Sequence, residues 1–135
     1  MGYRVVPHTG DYQIEVAGQT LAELFSSALA GLSDFLLARV PTENRPATRT
    51  VELSADNPTE LLINFLSEAL ALSQTNKEIY TTVEFSKLDE RQLSAKLIGC
   101  RVDKFDDEIK AVTYHGAQVV KNQAGEWQTG ILFDI

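Results

Sequence analysis

Residues 108–135 read EIKAVTYHGAQVVKNQAGEWQTGILFDI, and this stretch restricts the possible folds more than any other. Ile109, Ala111, Thr113, Val119 and Val120 are strand formers. Asn122, Gln123, Ala124 and Gly125 supply a turn, and Trp127 to Phe133 returns with period-two alternation. Trp127, Thr129, Ile131 and Phe133 take one face of that strand; Gln128, Gly130, Leu132 and Asp134 take the other. A strand this apolar is expected to sit inside a sheet, held by ladder partners, where most chain termini fray. It would hold two carboxyl groups side by side, those of the Asp134 side chain and of Ile135. Neighbouring anions repel unless a cation or another positive group lies between them. The ending is therefore either one more patch of a charged surface or a site.

Two helices are expected earlier in the chain. Over Thr20 to Leu37, apolar residues from Leu21 to Leu36 fall on one broad face, and Thr20 and Glu23 have capping-box spacing. The second helix starts at Asn57 as cap, with Pro58 at its first position and Glu60 three residues after the cap. Leu61, Leu62, Phe65, Leu66, Ala69, Leu70 and Leu72 form its buried face, with Gln74 to Lys77 a polar exit. Strands are expected at Tyr3 to Val6, Tyr12 to Val16, Thr48 to Ser54, Tyr80 to Phe85 and Leu93 to Cys100. Loops are expected at Pro41 to Pro46 and over the acidic stretch Asp103 to Glu108. The whole, 1–135, reads as a single α+β domain: a mostly antiparallel or mixed β-sheet with two amphipathic helices packed on it. No Gly-rich strand-to-helix turn supports a Rossmann arrangement.

The totals exclude several functions. A net charge of −7 argues against duplex binding, which needs a basic face to displace counterions; RNA would be met only through a partner. One cysteine, Cys100, rules out an internal disulfide and a thiolate zinc cluster, and it reads as a small core residue. No signal-type segment or membrane-length apolar run is present, so a cytoplasmic protein is expected. G-x-S-x-G, P-loop, H-E-x-x-H and C-x-x-C motifs are all missing. The two histidines, His8 and His115, sit in or beside turns, where solvated or capping roles are usual.

Asp11 follows the turn His8-Thr9-Gly10 and opens a strand. An Asp there is usually a turn former. Yet strand starts and strand ends share an edge in an antiparallel sheet, so Asp11 can stand beside Asp134 and Ile135. Three oxygen donors of that kind suit a hard divalent cation, Ca²⁺ or Mg²⁺, with Mn²⁺ also possible; zinc is the poorer fit. His8 is near enough in sequence to support such a site from behind.

HTGD at His8 to Asp11, the following DYQIEVAGQTLAELFSSAL, the helix ELLINFLSEAL, EIKAVTYHG and the terminal ILFDI together resemble the archease family over essentially the whole chain. The resemblance implies a small cytoplasmic accessory protein of an RtcB-type RNA ligase, the GTP-dependent enzyme of tRNA splicing and RNA repair. Such a protein promotes guanylylation and repeated turnover of the ligase and joins no RNA itself; a general chaperone or interaction module is the alternative. The family's metal site maps onto Asp11, Asp134 and Ile135, while Lys110 and His115 are candidate partner contacts. The chain departs from the family at Gly10, commonly Ala, and at Phe65, commonly Trp. The loop from Arg101 to Glu108 is short and lacks a histidine often found there.

Overall fold

A computed structural model describes residues 2–6, 11–37, 45–113 and 118–135. Thr20 caps the first helix as its spacing predicts: its Oγ1 accepts the Glu23 N–H at 3.1 Å. The Glu23 carboxylate returns the bond to the Gln19 N–H at 2.6 Å, one residue ahead of the cap. Asn57 and Glu60 repeat the arrangement on the second helix. Asn57 Oδ1 accepts from the Glu60 N–H at 2.9 Å, and Glu60 reaches back to the Asp56 N–H at 3.3 Å. The reciprocal caps fix where each helix begins and satisfy backbone donors that would otherwise be orphaned.

Among the described residues, eight strands and two helices follow in the order β1 (Gly2–Val6), β2 (Asp11–Gly18), α1 (Leu21–Leu36), β3 (Pro46–Ser54), α2 (Pro58–Asn76), β4 (Glu78–Leu88), β5 (Gln92–Arg101), β6 (Ala111–Thr113), β7 (Val120–Lys121) and β8 (Trp127–Asp134). The α+β architecture with two packed helices is as expected, and the strands divide between two antiparallel sheets. One has the order β1-β2-β8-β6, with β7 also paired to β8; the other has the order β3-β5-β4. Helix α1 packs on both β2 and β4, and α2 reaches α1, β3, β4 and β6. One core is thereby shared by the two sheets, with Phe25, Leu29, Phe65, Leu66, Tyr80, Ile14 and Phe133 at its centre.

Three local boundaries differ from the sequence reading. Helix α2 runs on through Gln74 to Asn76, because Ser73 is buried and accepts the N–H of Lys77, which ends the helix in the left-handed conformation at φ 53°. Strand β3 starts at Pro46; proline is tolerated there as the first residue of an edge strand. The strand formers from Ile109 to Val120 yield two short strands, β6 and β7, each on β8. Residues 38–44, which include most of the loop expected at Pro41 to Pro46, and residues 7–10 lie outside the described residues.

Gly99 joins β5 to β4. A Cβ there would lie 1.7 Å from the Ile79 carbonyl oxygen, where β4 bulges between Tyr80 and Thr82. Only a residue without a side chain lets the two backbones approach this closely.

Candidate functional site

The alternation of β2 and β8 decides which residues share a surface. Ile14, Val16, Ile131 and Phe133 are buried, so the odd residues of β2 and the even residues of β8 face away from the core. In the β2–β8 register Asp11 is the Cα partner of Asp134. Directly opposed residues of an antiparallel pair project to the same side, with Cβ atoms about 4.5–5.5 Å apart. The outer face of the sheet thus carries two carboxylates in register. Asp134 is exposed, Asp11 is half-buried, and Ile135 follows with 39% of its surface exposed.

The backbone beneath this pair is held from several directions. The Tyr12 ring stacks on Phe133 at 5.3 Å and lies 4.3 Å from Phe35 of α1. Its hydroxyl donates to the Gly31 carbonyl at 3.3 Å, and burial raises its pKa. On the other side of β8, Ala111 also faces Asp134. The Lys110 N–H donates to the Asp134 carbonyl at 2.6 Å, and the neighbouring Ile109 carbonyl accepts from Gln74 of α2 at 2.8 Å. Asp11, Asp134 and Lys110 therefore lie on three adjacent chain segments, joined at Lys110 through the main chain, and the Lys110 side chain is exposed. His8 and His115 fall outside the described residues.

The donor chemistry can be tested against a cation. Among the described residues no group of three His, Cys, Asp or Glu side chains is placed to hold a metal. The expected trio has only two side-chain carboxylates, and Ile135, with an apolar side chain, can give only main-chain oxygen. Two carboxylates with Cβ atoms about 5 Å apart can reach one ion at roughly 2.3–2.6 Å, the oxygen distance of calcium. All the donors are oxygen, so the set fits a hard cation.

A second polar cluster has no counterpart in the sequence reading. Glu78 is 3% exposed, yet its carboxylate accepts from Arg49 Nε and Nη2 at 2.9 Å each and from the Tyr80 hydroxyl at 2.6 Å. The Arg49 hydrogen bonds pull the Glu78 pKa below the ordinary carboxylate range, and burial together with Glu78 pushes the Tyr80 pKa up. One local clue exists: Arg49 occupies the same phase of β3 as Ala47, Val51 and Leu53, a charge on the inward side.

The whole chain compares with known proteins as follows. Residues 3–135 match the model of the Archease protein family (MTH1598/TM1083). The chain belongs to the archease family. A protein named archease from Pyrococcus abyssi is 29% identical, the match covering 95% of this chain and 94% of that protein. One from Thermococcus gammatolerans is 30% identical over the same shares, 95% and 94%. In fold, it is similar to protein 1598 of Methanobacterium thermoautotrophicum, with a TM-score of 0.72, 20% identity and 99% of each chain covered. It is likewise similar to an archease from Thermotoga maritima described as a possible chaperone, with a TM-score of 0.67, 19% identity and 96% and 94% covered. Among the described residues of this archease, no helix is long and apolar enough to cross a membrane.

Proposed function

We propose that this archease is a metal-binding accessory protein that activates an RtcB-type RNA ligase in the cytoplasm, promoting guanylylation and repeated turnover in tRNA splicing and RNA repair. The observation that supports the reading is the register of Asp11 against Asp134 on an exposed sheet face, with Ile135 beside them. In this reading Asp11, Asp134 and the carboxylate of Ile135 hold a divalent cation, calcium or magnesium before manganese. The cation would supply positive charge to phosphate oxygens at the ligase centre. The chain's own part is to present the carboxylates on a stiff ladder, with Lys110 a candidate partner contact on the neighbouring segment. RNA is met only through the ligase, since a net charge of −7 repels phosphate.

The test is a multiple-turnover ligation with the cognate ligase, GTP and a broken RNA. Addition of the protein is expected to raise product well above one turnover per ligase, and Asp134→Asn to remove most of the rise while leaving the fold intact. Product that stays at one turnover with the wild-type protein would sink the proposal. A second reading, a general chaperone, draws on the description of the Thermotoga maritima relative. It requires suppression of aggregation for unrelated clients, indifferent to Asp11→Asn.

A further inference from the structure

The face of the five-stranded sheet that carries the Asp11–Asp134 pair is also the floor of an open trough of about 2120 Å³. Along β2 the trough runs from Asp11 to Ala17, about 20 Å at roughly 3.3 Å per residue. The first turn of α2 lines it too, tied to the segment before β7 by the Val119 N–H, which donates to Thr59 Oγ1 at 2.9 Å. Small-molecule pockets occupy about 300–1,000 Å³ and enclose their ligand. This trough is more than twice that size and open, so its dimensions fit an extended stretch of polypeptide about six residues long.

Charge selects the kind of polypeptide. Among the described residues, Asp11, Glu15 and Glu60 line the trough against a single cation, Arg4, and Arg4 is already bound to Glu15. The surface is acidic within a chain of net charge −7, so it disfavours nucleic acid and attracts lysine and arginine. We propose that the trough docks an extended, lysine- or arginine-bearing segment of a protein partner, which sets that partner against the Asp11–Asp134 pair. Taking the ligase as that partner rests on the function proposed above.

Gly130 provides the test, because it lies on the trough floor opposite Glu15. A Cβ added there has no neighbour nearer than Gln13 Nε2 at 3.8 Å and the Ile14 carbonyl at 3.9 Å. Gly130→Arg should therefore fold and fill the trough with a positive side chain; Gln13→Arg on the neighbouring strand does the same from another position. Binding of each variant to the purified ligase is measured by calorimetry, with thermal melts to show that it is folded. Both are expected to bind at least tenfold more weakly than wild type. The wild-type affinity should also fall as salt rises. Carbodiimide coupling is expected to join Glu15 or Glu60 to ligase lysines. Wild-type affinity retained by both folded variants would overturn the trough as a docking site while leaving the ligase function standing. No binding of the wild-type protein to the ligase would overturn both. Binding of single-stranded RNA that Gly130→Arg strengthens and ligase does not displace would overturn it in favour of a nucleic-acid surface.

Discussion

Two carboxylate sites in this molecule solve opposite problems. Glu78 is buried in the three-stranded sheet, and every oxygen is spoken for by Arg49 or Tyr80. Asp134 is exposed on the five-stranded sheet and faces another aspartate; among the described residues no side-chain hydrogen bond or ion pair reaches it. The first site carries its own counter-charge and closes on itself. The second sets like charges opposite one another, an arrangement that is mildly destabilising in a sheet. The same residue chemistry thus contributes stability where a cation is built into the fold, and marks a candidate binding site where the ladder sets two anions opposite each other.

The largest expected effect lies in the closed site. Glu78→Gln leaves Arg49 without its counter-charge and should cost about 3 kcal/mol, the lower end for breaking a buried pair because the Arg49 side chain is 39% exposed. That lowers Tm by roughly 10 °C at this chain length and should leave ligase stimulation unchanged once corrected for folded protein. The loss should also depend on pH. The folded-state pKa of Glu78 is depressed, so its contribution is complete above the ordinary carboxylate value of about 4.3 and is lost as pH falls through the folded value. Melts of wild type and Glu78→Gln are expected to converge at the acid end; a gap that stays constant there would contradict the assignment.

Next comes the cation. At a calcium concentration about 100-fold above its Kd, the wild-type protein should gain about 2.7 kcal/mol, read as a rise in Tm. Asp11→Asn and Asp134→Asn should show little of it, and Glu78→Gln all of it. An equal rise in all four proteins would remove the distinction between the two sites.

The smallest effect has the opposite sign. Without added divalent ions, Asp134→Asn should stabilise the protein by up to about 0.5 kcal/mol, because it relieves the repulsion across the β2–β8 ladder. A denaturant titration resolves this as a shift in midpoint at constant slope. Clear destabilisation in chelator would mean that Asp134 carries a structural interaction instead.

Sequence legibility follows how local each signal is. The caps at Thr20 and Asn57, the alternation of Trp127 to Phe133 and the strand beginning at Asp11 all arise within a few residues, and the structure has them. That Asp11 and Asp134 could meet needed one topological step, the shared edge of antiparallel strands, and the structure places them opposite each other in register. The Arg49–Glu78 pair was not legible: it joins residues on the two outer strands of a sheet whose order, β3-β5-β4, no periodicity encodes. The split into β6 and β7 was hidden for a related reason, since Ile109, Val119 and Val120 have the composition of strands whichever partner they find. The extension of α2 to Asn76 depended on the burial of Ser73, a tertiary fact. The trough was missed because it belongs to no single strand.

The ladder that sets Asp11 against Asp134 joins segments from opposite ends of the sequence, and β8 lies in the interior of its sheet. Such a ladder must await long-range loop closure, which slows folding. Once made, it has no nearby seam along which to open. Amide protons in the middle of β2 and β8 should then exchange with solvent only when the entire molecule unfolds. The carboxylate surface would be assembled late and kept for the lifetime of the native state, with no intermediate in which half of it exists.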